Sequence, residues 1–348
     1  MKDAPALSQL RQKYLSKKNI LLIALTIVII LFMIFYIGVA EFVEQLGSLN
    51  YFYIFLMYVT YTIQFLVRAL SWYLIAKDLK SRAPYSLLYY SLGVGWMLNE
   101  IVPAKMGDLV RVQIVAKNTN QSFGTAAASV TLQRLIDLLI VLTTGALLIF
   151  IVIWMQGDDE GFDYMQVFSS IIIGVVLLSL VVVLFLVILK YPNWILGWIG
   201  KFSKKLEEFS ANIILPFREA VLHLKSPVLL IYYFFLGIPI WFFDAMTFYF
   251  LFLALGLEIS FFVVIISALI NYLTKSIPLT PGGWGFSENI PALFILIFYP
   301  LLPFEMLLSA FIIHHLLIFI YCSSFGLISL RRISNISKKN IQINMADD

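Results

Sequence analysis

A single cysteine in 348 residues removes two kinds of chemistry at once. Cys322 stands alone in an apolar run, so the chain carries neither a disulfide framework nor a thiolate metal site. Charge is scarce too: 13% of residues are Asp, Glu, Lys or Arg, against about 25% in soluble domains. No polar stretch is long enough to form a soluble domain. There are three histidines, and no His-Glu-x-x-His or Cys-x-x-Cys spacing. His314-His315 lies in an apolar segment with no acid at ligand spacing, and reads as packed or bundle-facing. The chain has no P-loop and no dinucleotide fingerprint, so neither ATP-driven pumping within this chain nor a cofactor is expected. What remains is 61% hydrophobic residues, with a mean hydropathy of +0.93. That composition defines an all-α polytopic membrane protein.

Apolar runs of about 20 residues suffice to cross a hydrocarbon core of about 30 Å. Six are expected as spans: 19–40, 51–76, 124–154, 166–189, 228–256 and 305–330. The first follows Arg11, Lys13, Lys17 and Lys18 as a signal peptide would. At about 21 residues, however, it exceeds an h-region and reads as an uncleaved span. Basic residues mark alternate links: the N-terminus 1–18, Lys77/Lys80/Arg82, the stretch 190–225 and the tail 331–348. The links around Glu41/Glu44, Asp158–Asp163, Glu258 and Glu305 have no Lys or Arg. Cytoplasmic loops carry the Lys/Arg excess, so both termini are expected in the cytoplasm, flanking one membrane domain over 19–330. Within it, 193–225 reads as an interfacial amphipathic helix broken before Pro216. It sets Trp194, Trp198, Phe202, Leu206 and Phe209 opposite Lys201, Lys204, Lys205, Glu207 and Glu208. The tail after Ser337 is expected to be disordered.

Two segments between the spans, 85–120 and 260–300, break the rules for a membrane helix in the same way. One contains Pro103-Ala104-Lys105-Met106-Gly107-Asp108-Leu109-Val110-Arg111. The other contains Pro281-Gly282-Gly283-Trp284-Gly285-Phe286-Ser287-Glu288. Each sets Pro-x-x-x-Gly beside charge. Irregular backbone at membrane depth is tolerated only where protein buries it or a wet cavity adjoins it. Such breaks in matching halves point to a transporter's binding site. For the basic links to alternate, each broken segment must return to the side it entered. The expectation is six spans plus two oppositely oriented re-entrant helical hairpins, an inverted repeat. A count of about ten full helices gives the same sidedness.

These two runs, with Gln133-Arg134-Leu135-Ile136-Asp137 between them, resemble the family named for the transmembrane region of lysylphosphatidylglycerol synthase, also called flippase-like membrane proteins. The family's pattern is P-x-R-x-G-E-x-x-R, then E-R-x-x-D, then P-G-G-x-G-x-x-E. The likeness covers about residues 15–330. Here Lys105 replaces the Arg, Asp108 the Glu, and Gln133 the acid before Arg134; the last change removes a charge. The resemblance implies lipid handling, with the synthase's soluble aminoacyltransferase domain expected to be absent. It also implies a separate partner that makes the lipid, or a glycosyltransferase acting on polyprenyl-phosphate sugars.

Moving a phosphate headgroup through hydrocarbon requires protein charge to replace its water. Charge inside a membrane costs about 2.5 kcal/mol or more per residue and marks function by default. Arg suits phosphate through its planar fork, so Arg111 and Arg134 are the first candidates, with Lys105 and Lys275 assisting. Half-helix N-termini starting near Lys105 and Gly285 would add positive ends. Glu100, Asp108, Asp137 and Glu288 are candidates for a cationic group or for proton coupling. Pro103, Gly107, Pro281, Gly282, Gly283 and Gly285 make the breaks. Blander readings stand beside these. Arg134 and Asp137, at i,i+3, can neutralise each other. Arg68, one turn before Trp72, can snorkel to the interface. Asp244 fits one buried acid bonded to a neighbouring helix, Gly282-Gly283 fits close helix packing, and Cys322 fits a small apolar filler.

The functional expectation is a lipid translocase, flippase or scramblase, for an anionic or zwitterionic phospholipid or a polyprenyl-phosphate glycolipid. It would work in a prokaryotic plasma membrane, with no nucleic-acid partner. Two alternatives are a membrane-embedded lipid phosphatase or transferase using Ser287 beside Glu288, and a scaffold recruiting a cytoplasmic enzyme through 190–225.

Overall fold

A computed structural model describes residues 17–102, 105–119, 121–156, 183, 186–222, 228–276 and 280–346. Most of the expected span 166–189, Pro103 and the first sixteen residues lie outside them. The described residues form helices throughout: α1 (Lys17–Ile37), α2 (Val39–Gly47), α3 (Tyr51–Asp78), α4 (Tyr85–Ile101), α5 (Met106–Thr119) and α6 (Phe123–Gln156). After these come α7 (Pro192–Gly200), α8 (Lys204–Leu222), α9 (Val228–Ala254), α10 (Phe261–Ser276), α11 (Phe286–Phe298) and α12 (Phe304–Ala346). A 3-10 turn at Pro281–Gly283 precedes α11. The protein is an all-α polytopic membrane protein.

Among the described residues, four helices are long and apolar enough to cross a membrane: Tyr51–Asp78, Phe123–Leu148, Val228–Ala254 and Phe304–Ile336. A fifth candidate is a bent pair, because the expected first span turns by 89° at Gly38. Gly38 has φ +99°, a left-handed value that ends α1 three residues early and starts α2 in a new direction. Short polar side chains set other helix starts. The Asn50 side chain accepts the Phe52 N–H at 3.0 Å and Ser122 Oγ accepts the Thr125 N–H at 3.0 Å, opening α3 and α6.

The amphipathic stretch and the tail differ from expectation. The former is two helices, and α8 runs past position 216; the break falls at Lys201–Ser203, where the Leu206 N–H meets Ser203 Oγ at 3.4 Å. Trp194, Trp198 and Phe202 remain exposed, as an interfacial face requires. The expected disordered tail is instead a continuation of α12 to Ala346. No Gly or Pro follows Gly326, so the sequence offers no stop signal there.

The chain divides into two compact units. The first comprises residues 1–61, 90–111 and 244–335; the second 62–89, 112–243 and 336–348. The first has a core of Ala245, Phe248, Phe252, Val264, Ala268, Ile295, Leu307 and Phe311. Its two broken segments each fold back on themselves. Asn271 Nδ2 donates to the Ser287 carbonyl at 2.6 Å and Ser267 Oγ to the Pro291 carbonyl at 3.3 Å, an antiparallel register between α10 and α11. Along α4 and α5, Gly95 lies against the backbone of Gly107 and the side chain of Arg111, and Asn99 against Gly107. A methyl group at Gly107 would overlap the Gly95 carbonyl, so the absence of side chains permits this approach.

The second unit is held by buried polar contacts between long helices. Trp72 Nε1 donates to Ser129 Oγ at 3.0 Å and Gln133 Nε2 to the Arg68 carbonyl at 3.0 Å. Tyr233 bonds Asp78, and Gly237 lets α9 approach Ile140 of α6. The second unit also packs α8 against α6 and α7.

Candidate functional site

The turn between α10 and α11 needs three glycines in the left-handed region: Gly282 (φ +63°), Gly283 (φ +83°) and Gly285 (φ +94°). Each also meets a neighbour closely. A Cβ on Gly282 would lie 3.1 Å from the Glu100 carbonyl, on Gly283 3.0 Å from Lys275 Cα, and on Gly285 3.2 Å from Ile29. The close helix packing considered for Gly282-Gly283 is therefore real, and it joins the two breaks. Across the other break, Lys105 takes φ +52°, a value few non-glycine residues adopt. Thr280 Oγ1 closes the second turn by donating to the Trp284 carbonyl at 2.8 Å.

Four ionisable side chains meet there. Glu100, at the end of α4, approaches His315 Nε2 of α12 through Oε2 at 2.8 Å and Lys275 Nζ of α10 through Oε1 at 3.7 Å. The other ring nitrogen, His315 Nδ1, contacts Glu288 Oε1. Glu288 is fully buried and also accepts the Ser287 hydroxyl at 2.7 Å and the Gly285 N–H at 2.6 Å. The His315 ring is 2% exposed and stacks on Trp284, with centroids 3.7 Å apart and planes within 5°. Its neighbour His314 bonds Thr247 Oγ1 at 2.9 Å and stacks on Phe248. Both histidines are bundle-facing, as read from sequence, but His315 is also bound by two acids. Those acids lie 215 and 27 residues away along the chain, beyond any spacing rule.

Two cavities adjoin this cluster. One of about 230 Å³ is lined by Thr26, Ile27, Ile30, Glu100, Ile101, Pro281, Trp284, Leu316 and Phe319. It is apolar except for Thr26 and Glu100. A narrow cleft is lined by Asn99, Val102, Lys105, Lys275, Thr280, Gly282 and Gly283, bringing both candidate lysines to one place. Among the described residues, no three His, Cys, Asp or Glu side chains converge as metal ligands.

The other expected residues are placed differently. Arg111 is fully buried, with Nε 3.1 Å from Asp108 Oδ1. Asp108 and Glu288 each occupy the first turn of their helix, α5 and α11. In α11 the acid already takes the Gly285 N–H. The half-helix N-termini expected to receive an anion thus carry acids of their own, which answers their positive end from within. Arg134 and Asp137 belong to the second unit. Their i,i+3 pair is 3.6 Å, while Arg68 makes the closer bridge to Asp137 at 2.7 Å. Snorkelling of Arg68 is therefore overturned: the side chain is 2% exposed, with its guanidinium 5.2 Å from the Trp241 ring centre. A buried guanidinium with a carboxylate and an indole beside it has no need to reach for water. Cys322 is a buried filler that also contacts the Tyr61 hydroxyl at 3.2 Å.

Interrupted helices that bring opposite charges together beside an apolar cavity lie here within a polytopic membrane protein. The chain belongs to the family of the lysylphosphatidylglycerol synthase transmembrane region, whose model matches residues 20–326. The chain is 31% identical over 193 residues to a UPF0104 membrane protein of Methanocaldococcus jannaschii, covering 55% of this chain and 75% of the relative. It is 26% identical over 298 residues to a UPF0104 membrane protein of Methanothermobacter thermautotrophicus, covering 80% and 85%. It is also 24% identical over 316 residues to the glycosyltransferase AglD of Haloferax volcanii, covering 83% of this chain but 50% of that protein. No solved structure matches.

Proposed function

We propose that this protein moves an anionic or zwitterionic lipid between leaflets, a phospholipid or a polyprenyl-phosphate glycolipid. The observation that carries this reading is the pairing of the Lys105/Lys275 cleft with an apolar cavity of about 230 Å³, both bordering the same two helix breaks. An amphiphile needs both: cations for its phosphate and a dry slot for the start of its chain. Lys105, Lys275 and Arg111 are assigned to the phosphate on the first unit, and Arg134 on the second. Glu100, Asp108, Asp137 and Glu288 serve a cationic group or a proton.

The arms of the broken segments support re-entrant hairpins. Their helices have 17, 14, 16 and 13 residues, fewer than the roughly 20 needed to cross. In this reading the hairpins enter from opposite sides as an inverted pair, beside six spans. Both termini are cytoplasmic by the distribution of Lys and Arg, in the plasma membrane of a prokaryote. The likeness to AglD supports a glycosyltransferase as a separate partner supplying the lipid. The enzyme alternative loses its nucleophile. Ser287 is fully buried, borders neither cavity and has its hydroxyl bonded to Glu288, so its oxygen has no approach open to a lipid.

The test is a leaflet-accessibility assay in proteoliposomes with labelled phospholipids and polyprenyl-phosphate sugars. Wild type should move one lipid class, and Lys275→Gln should slow it about tenfold or more, equal to about 1.4 kcal/mol. Chemical alteration of the lipid would instead establish an enzyme. A chain that moves nothing but fails to recruit a partner when 200–208 is neutralised would be a scaffold.

A further inference from the structure

His315 has a carboxylate at each of its two ring nitrogens. A neutral imidazole has one N–H and one lone pair, so it can donate to only one of them. The second contact is attractive only if one more proton is present, either on the ring or on the facing acid. Glu288 already accepts from the Gly285 N–H and the Ser287 hydroxyl, which makes it the ionised partner and Nδ1 the donor towards it. The additional proton then lies between His315 Nε2 and Glu100 Oε2, 2.8 Å apart.

Building on the reading as a lipid translocase, we propose that this Glu100–His315 pair is its proton-coupling site, loaded when a lipid phosphate occupies Lys275. With the proton present, two acids, one imidazolium and Lys275 sum to zero. Without it the cluster has a surplus negative charge, and the Nε2 lone pair repels Glu100. A phosphate that draws Lys275 away from Glu100 removes the cation that would offset this surplus. Phosphate and proton therefore bind with mutual advantage, and linkage makes the effect reciprocal. Loss of the proton separates Glu100 from α12. The Glu100 carbonyl abuts Gly282, so that separation acts on both breaks together.

The surrounding charges allow this assignment. Lys275 faces the pair from α10 and Lys105 from the start of α5. Glu288 faces it from α11 and His314 and Cys322 from α12, with Tyr61 from α3 and Asp244 from α9 further out. The α1 residues at the adjoining cavity, Thr26, Ile27 and Ile30, carry no charge.

Two measurements test the proposal. In proteoliposomes moving the lipid identified above, an imposed pH gradient should change the wild-type rate by about tenfold. The ratio of rates with and without the gradient should fall to one in His315→Gln and Glu100→Gln. Independently, a short-chain phosphatidic acid added to detergent-solubilised wild type in weak buffer should cause uptake of one proton per protein. Neither variant should take one up, and matched melting temperatures verify their folding. Lipid movement in wild type that ignores the gradient, without proton uptake, overturns the coupling and leaves the translocase reading intact. A wild type that moves no lipid overturns both. Variants that keep the gradient response overturn the role of the pair.

Discussion

Both compact units bury charge, yet they treat it in opposite ways. In the second, Arg68, Asp137 and Arg134 sit on uninterrupted helices; Arg68 and Asp137 are each 2% exposed and bridged at 2.7 Å. In the first, Glu100, Lys275, His315 and Glu288 gather where helices have been broken, against a cavity. A pair on intact helices is fixed by two rigid backbones and satisfies itself. A group at a break has irregular backbone beneath it and several partners to choose from, as Glu100 has in His315 at 2.8 Å and Lys275 at 3.7 Å. Charge that is meant to change partners belongs on the second kind of support.

The contrast can be broken most forcefully in the second unit. Asp137→Ala leaves the Arg68 charge buried without its closest carboxylate and should cost about 3–5 kcal/mol, read as thermal unfolding in detergent. Arg68→Met combined with Asp137→Leu should recover most of that loss. In the first unit, Gly283→Ala forces a left-handed φ of +83° on an L-residue and a Cβ 3.0 Å from Lys275. A loss of about 1–3 kcal/mol is expected, together with slower lipid movement. Glu100→Gln should do the reverse of Asp137→Ala. Its melting temperature stays close to wild type because the amide still bonds His315, while lipid movement falls about tenfold or more, or about 1.4 kcal/mol. Smallest is Arg134→Ala, whose side chain is 25% exposed and 3.6 Å from Asp137, with an expected stability change within about 1 kcal/mol. A clear fall in lipid movement at unchanged stability would support the assignment of Arg134 to the phosphate, and unchanged movement would leave it a structural partner of Asp137.

Much of this was legible in sequence, and the reasons are physical. Span-length apolar runs expose helices such as α3 and α9 because a membrane helix satisfies its own backbone, leaving hydropathy as the dominant signal. The paired Pro-x-x-x-Gly breaks were legible because little else justifies glycines beside charge in such a setting. What escaped was everything set by contact between distant segments. His315 looked inert because Glu100 and Glu288 reach it from other helices, and Arg68 looked interfacial because Asp137 is 69 residues away. The bend at Gly38 escaped for another reason. A lone glycine in an apolar run is compatible with both a straight helix and a left-handed turn, and only its neighbours decide.

The stack of Trp284 on His315 turns the proton site into an optical one. A charge arriving on an imidazole parallel to an indole at 3.7 Å perturbs the excited state of that indole. The difference in emission between wild type and Trp284→Phe therefore contains a spectroscopic record of the ring's charge. Followed in a stopped-flow instrument, that signal would time the arrival of each proton against the passage of each lipid without any attached dye.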